Sequence, residues 1–133
     1  MITYEDSNIR TYLKIVELCC QNNLIQQGLT ILEESLITYI LEKMNLNITE
    51  IAYREIPSKI SYKLKKGEEI SEDEVRFINA LGKDIFLLLY DIAGIRNDIN
   101  HCGFRKSASS CTSLKENLNY FLQKARNIIE SID

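Results

Sequence analysis

"NNLIQQGLTILEESLITYI", residues 22–40, decides how the rest of the chain is read. Within it Ile25, Leu29, Leu32, Leu36, Tyr39 and Ile40 recur at intervals dominated by three and four. That is the period of a helix with one buried stripe, and it differs from the two-residue alternation of a strand. Gln21, Asn22 and Asn23 form a turn ahead of it, and the stripe runs on to about Met44. So long a stripe predicts a helix at the centre of its domain.

The same period extends outward in both directions. Upstream, Ser7 is placed to cap a helix over residues 8 to about 20, with Ile9, Leu13, Val16 and Cys20 on its buried side. Downstream, Thr49 is placed to cap a third piece, broken or restarted at Pro57, with Tyr53, Ile56, Ile60 and Leu64 on its apolar side. "KKGEEIS" at 65–71 reads as a polar loop, and Ser71-Glu72-Asp73-Glu74 as a capping box. That box opens a helix carrying Val75, Ile78, Leu81, Ile85, Leu88, Leu89 and Ile92, interrupted or bent at Gly94. Residues 94–104 follow as a short helix or a continuation. "GFRKSASSCTS" at 103–113 reads as a second loop. A second capping box, Ser113 to Glu116, opens a last helix with Leu114, Leu118, Phe121, Leu122, Ala125, Ile129 and Ile132. The prediction is an all-α bundle of about five helices in one domain, residues 1–133.

Composition agrees. One proline and five glycines in 133 residues are too few turn formers for a many-stranded β-fold. A net charge of −3 argues against a general electrostatic binder of duplex DNA, so any nucleic-acid contact must be local. The longest apolar run, residues 85–90, ends at Asp91 and is too short to span a bilayer. No basic-plus-apolar leader pattern precedes it, so a cytoplasmic protein with no membrane partner is expected. Cys19, Cys20, Cys102 and Cys111 contain no Cys-x-x-Cys pair, and His101 is the only histidine. Reduced thiols, no metal and no cofactor are therefore expected.

The histidine lies in "GIRNDINHCGFRKS", residues 94–107. On an ideal helix Ile95, Ile99 and Cys102 line a stripe facing the bundle, and Arg96, Asn97, Asn100 and His101 take the opposite arc, with Arg96 and His101 about 140° apart at its edges. These residue types suit RNA cleavage without a metal. Histidine exchanges a proton near neutral pH, arginine grips phosphate oxygens with parallel hydrogen bonds, and asparagine orients either without adding charge. The plainer reading is a surface arginine and a histidine near a helix end, favoured there by the helix dipole. Lys63, Lys65 and Lys66 read as a solvated cluster or an RNA guide. Tyr53, Tyr62, Tyr90 and Tyr120 read as core or interface residues rather than base-stacking platforms.

"RNDINH" resembles the Arg-x4-6-His signature of HEPN-domain ribonucleases. The run "RNDINHCGFR" and the long early helix at 22–40 are similar to the HEPN halves of type III CRISPR accessory ribonucleases. The resemblance implies a HEPN-like helical bundle and a metal-independent endoribonuclease acting on single-stranded RNA, in CRISPR or related antiviral defence, with a homodimeric site. It implies Arg96 and His101 as catalytic residues, with Asn97 as the polar residue after the arginine. Asn100, Arg105 and Lys106 are the candidate RNA contacts beside them. Two departures matter. The CARF sensor domain of those relatives is not in this sequence, which fits an excised half, a split subunit paired with a separate sensor, or a free-standing relative. HEPN toxins paired with a nucleotidyltransferase antitoxin often carry a tyrosine two places after the histidine; here Gly103 stands there. The alternative from another class is a catalytically silent HEPN-like interaction module.

Overall fold

The computed structural model describes residues 4–105 and 108–133, and the side chains of residues 8–98 and 113–133. Among the described residues the chain is all-α. Its segments are α1 (Tyr4–Gln21), α2 (Ile25–Lys43), α3 (Ile51–Arg54), α4 (Ile56–Lys66), α5 (Glu72–Leu81), α6 (Asp84–Arg105) and α7 (Ala108–Ile132). α3 is a single turn, separated from α4 by Glu55 alone, and Pro57 sits in the first turn of α4, where its missing N–H costs nothing.

α2 is the central element, packed against α1, α6 and α7. Leu29, Leu32, Leu36, Ile40 and Leu41 are fully buried along it, each worth about 1.5–3 kcal/mol of transfer free energy. They meet Val16 of α1, Ile85, Phe86 and Ile92 of α6, and Leu118, Leu122 and Ala125 of α7 in one continuous core. Close approach is built into the start of α2. A Cβ on Gly28 would stand 2.7 Å from a Leu118 methyl and 3.2 Å from the Cys19 Cβ, so only a bare Cα fits between α1 and α7. α4 covers the outer flank of α6.

Polar ties fix the register of the distant helices. Arg126 of α7 pairs with Glu17 of α1 at 2.8 Å, and the Cys20 thiol donates to Asn119 Oδ1 at 3.2 Å. Cys19 and Cys20 are buried free thiols. Asp133 accepts from the Tyr39 hydroxyl at 2.7 Å and pairs with Lys43 at 2.9 Å, tying the end of α7 to α2. Partial burial alone would raise the pKa of that carboxyl, but the bonds from Lys43 and Tyr39 hold it below the usual aspartate range.

The Ser71–Glu74 capping box forms as predicted: Ser71 Oγ accepts from the Glu74 N–H, and the Glu74 carboxylate accepts from the Ser71 N–H. Several boundaries differ from prediction. The helical break falls at Gly82, whose φ of 82° and extended ψ end α5, while α6 runs unbroken through Gly94. Leu81 and Ile85 are four residues apart, so the apolar stripe keeps its phase across the break and hides it. The expected loop at 103–113 is mostly helix: α6 extends to Arg105 and α7 starts at Ala108, leaving the Ser113–Glu116 box inside α7. Alanine and serine resist a helix only weakly, so composition alone overstated that loop. α1 likewise starts ahead of Ser7. Glu50, not Thr49, is the cap residue of α3; the Thr49 N–H and hydroxyl both donate to Asn47 Oδ1 in an Asx turn. On α5 Phe77 is buried and Val75 is exposed. Tyr53, Tyr62 and Tyr120 are exposed rather than core. No described helix is long and apolar enough to cross a membrane.

Candidate functional site

The second half of α6 carries Arg96, Asn97, Asn100, His101 and Arg105 on its backbone. Arg96 and Asn97 have described side chains. The side chains of Asn100, His101 and Arg105 lie outside the described ones, and Lys106 lies outside the described residues altogether. Asn97 and its neighbour Asp98 are exposed.

Arg96 is not on the outward arc. Its side chain is 32% exposed and reaches across to α2, where Nη1 stands 3.3 Å from Glu33 Oε1. The reason is the continuity of α6. Arg96 follows Ile92 by four residues, Leu89 by seven and Ile85 by eleven, so in an unbroken helix it prolongs their buried stripe. A bend at Gly94 would have released it from that stripe. His101, on the same backbone, stands about 140° round the axis from Arg96.

Glu33 is the residue that sequence reading missed. It occupies the buried side of α2, four residues after Leu29 and three before Leu36, and is 8% exposed. Oε1 faces Arg96, while Oε2 is buried with no hydrogen-bond partner among the described residues. Burial pushes this carboxyl above the ordinary glutamate range; Arg96 pulls it down, Glu34 pushes it up, and the net direction is upward. The signal was available: a glutamate in one core stripe and an arginine in another must find each other, because neither can be buried alone.

The surroundings of Glu33 are charged but largely committed. It borders an open groove between α2 and the α3–α4 segment, walled by Ile37 and by Ile51, which is 74% exposed. Arg54 at its edge is fixed four ways: to Glu34 Oε2 at 2.6 Å, to the Glu34 and Ile48 carbonyls, and to Thr38 Oγ1. Arg54 therefore staples α3 to α2. The Lys63, Lys65 and Lys66 cluster is similarly engaged. Lys63 pairs with Glu74 at 2.7 Å, Lys65 lies 3.9 Å from Asp91, and Lys65 and Lys66 both stand over the Tyr90 ring. Among the described residues no three His, Cys, Asp or Glu side chains converge as metal ligands would.

Chemically, the site offers a guanidinium anchored from within by a nearly dry carboxylate, with part of its surface open to solvent. Among the described residues one edge of the guanidinium is anchored, and the geometry of the fork suits its other N–H donors to an incoming oxyanion. Comparison of the chain with protein-family models, with curated proteins and with solved structures finds no match.

Proposed function

We propose that the chain is a metal-independent endoribonuclease of HEPN type that cleaves single-stranded RNA with Arg96 and His101. The observation that carries this reading is the partly exposed Arg96 guanidinium on α6, the helix that also bears His101, held from inside by Glu33 of α2. A buried carboxylate is a costly way to hold an arginine that only decorates a surface. In this reading His101 takes the proton of a ribose 2′-OH, whose oxygen attacks the adjacent phosphorus. Arg96 stabilises the charge gathering on the phosphoryl oxygens. The P–O5′ bond breaks, the 5′-oxygen takes a proton, and a 2′,3′-cyclic phosphate remains.

Arg96 and His101 diverge on one helix, so the working unit is a homodimer in which His101 of one copy approaches Arg96 of the other. In this reading the second copy approaches along the open face of α6, where a Cβ on Gly94 would meet nothing within 4 Å among the described residues and Asn97 and Asp98 are exposed, and it reaches Arg96 round the edge of the helix, because Arg96 itself turns toward α2. A second copy of the helix can come close there. Asn97 and Asn100 orient the phosphate, and Arg105 and Lys106 extend the RNA contact. The setting is CRISPR or related antiviral defence, with a separate sensor domain or an antitoxin as the regulating partner, in the cytoplasm.

The test is incubation of pure protein with labelled single-stranded RNA, with and without EDTA, for the wild type, His101→Ala and Arg96→Ala. Cleavage that survives EDTA, leaves a cyclic phosphate and disappears in both variants is the expected result. Loss on chelation with rescue by magnesium, or wild-type rates in both variants, would overturn it. A second reading, a catalytically silent interaction module, is favoured by one observation: Glu33 neutralises Arg96 in the free chain. A pure protein that dimerises and cuts no RNA would support that reading.

A further inference from the structure

Among the described residues Glu33 makes one contact where it has the capacity for several. Its Oε1 meets Arg96 Nη1 at 3.3 Å, and its Oε2 is buried with no hydrogen-bond partner among the described residues. A glutamate serving only stability would be expected to have both oxygens satisfied, because an unmet buried acceptor costs free energy. The cost is understandable if the carboxylate acts on Arg96 rather than on the fold. We propose that Glu33 is the positioning residue of the Arg96 site, setting from α2 the direction of the free guanidinium donors and competing, as a fixed anion, with the phosphodiester that those donors bind. This deepens the ribonuclease reading and rests on it for the catalytic part alone.

The charged groups around Glu33 define what the competition involves. Arg96 faces it from α6. Glu34 adjoins it on α2. Arg54, Glu55 and Lys59 line the groove that Glu33 borders from the α3–α4 side. Arg54 is bound to Glu34, and Lys59 lies 3.9 Å from Glu55, so among the described residues Arg96 is the cation that answers Glu33. A phosphodiester arriving on the open edge of Arg96 places a second anion on a guanidinium that already has one. Its arrival favours protonation of Glu33, which burial has already made easier.

Two consequences distinguish positioning from structural support. Removing the charge of Glu33 while keeping its shape should tighten binding of a phosphodiester, because a competing anion is gone. The same change should slow cleavage, because the guanidinium loses the contact that aims it. A merely structural glutamate would weaken both together, in proportion to the protein unfolded.

The experiment is a mutant cycle of wild type, Glu33→Gln, Arg96→Gln and the double variant. It is read first by anisotropy with a fluorescein-labelled all-deoxy oligonucleotide, which has no 2′-OH and cannot be cut by this chemistry. Glu33→Gln should tighten binding by about three- to tenfold in the Arg96 background and have no effect in the Arg96→Gln background. On the matching RNA, kcat of Glu33→Gln should fall about tenfold or more with KM unchanged or lower. Glu33→Asp keeps the charge on a shorter arm; it should restore the weaker binding but not kcat. Equal affinities in all four proteins, or the same effect of Glu33→Gln in both backgrounds, would overturn the proposal. If the oligonucleotide cycle shows the coupling and the wild type cuts no RNA, the enzymatic reading fails while the anion-competition role of Glu33 stands.

Discussion

Glu33 and Glu74 are both 8% exposed, and both stand against a cation, yet the protein treats them in opposite ways. Glu74 lies at the start of α5, where its carboxylate accepts from Lys63 Nζ at 2.7 Å and from the Ser71 N–H at 3.0 Å. Burial raises its pKa, but the bonds from Lys63 and Ser71 outweigh that and leave it below the ordinary value. Glu33 lies mid-helix, one oxygen on Arg96 at 3.3 Å and the other without a partner among the described residues, and its pKa is raised. Little exposed surface and a nearby cation are common to both. Glu33 sits deeper among other atoms, and Glu74 receives the hydrogen bonds of Lys63 and Ser71, so depth and hydrogen bonding together give the opposite signs. Glu74 holds a helix end in place, whereas Glu33 is held short of satisfaction.

Breaking each glutamate should separate them most clearly in stability. Glu74→Ala removes the capping box and leaves Lys63 half-buried and alone, so urea unfolding should show a loss of about 2–3 kcal/mol. Replacing both partners sharpens the contrast. Glu33→Met with Arg96→Met should stay within about 1 kcal/mol of wild type or exceed it, because apolar side chains suit that stripe and no orphan oxygen remains. Lys63→Met with Glu74→Met should still lose the cap. Equal losses in the two double variants would dissolve the distinction.

Arg96→Ala comes next in size. The spacing alone placed Arg96 on a surface arc, where truncation costs about half a kcal/mol. The observed pair predicts about 1–2 kcal/mol in thermal or urea unfolding. That is less than a fully buried pair because Arg96 is partly exposed and Glu33 can protonate. A loss under about half a kcal/mol would return Arg96 to the surface reading.

The smallest effect is in pH dependence, and its two halves have opposite sign. For Glu33 the folded pKa lies above the unfolded one, so the folded state binds more protons in that window. Its ionisation therefore costs stability as pH rises through the interval above about 4.5, the ordinary glutamate value. For Glu74 the folded pKa is lower, so its contribution is present above 4.5 and is lost as pH falls through the folded value. Chemical denaturation of wild type, Glu33→Gln and Glu74→Gln across acidic pH measures both. Wild type should gain on Glu33→Gln as pH falls and lose its lead over Glu74→Gln. Parallel profiles would show that the two carboxyls titrate alike.

These two glutamates also show what the sequence made legible. The Ser71–Glu74 box is a local pattern whose four residues satisfy one another, so it reads directly from the string. The Glu33–Arg96 pair spans two helices. It becomes visible only when the Ile85–Leu89–Ile92 stripe is carried through Gly94, and glycine there invited the opposite choice. The architecture was legible for a similar reason: the stripes of α1, α2 and α7 have a helical period whatever their partners. The break at Gly82 was not, because a positive φ leaves no mark on apolar phase. His101 was legible as a position on a helix, which the backbone of α6 carries, but its place on a helix does not reveal what arrives to meet it.

The ties between α7 and the opening helices govern how the chain is made as well as how it stands. Arg126 to Glu17 and Cys20 to Asn119 join residues separated by 109 and 99 positions. The α1–α2 pair therefore leaves the ribosome with Leu29 and Leu36 lacking the wall that Leu118 and Leu122 later supply. At about 5–20 residues per second that interval lasts on the order of several seconds. During it that apolar surface is open to other nascent chains. A helical protein is usually a fast folder because its contacts are local. Here the last helix closes the first, so the yield of folded protein should depend on how well that early hairpin is shielded during synthesis.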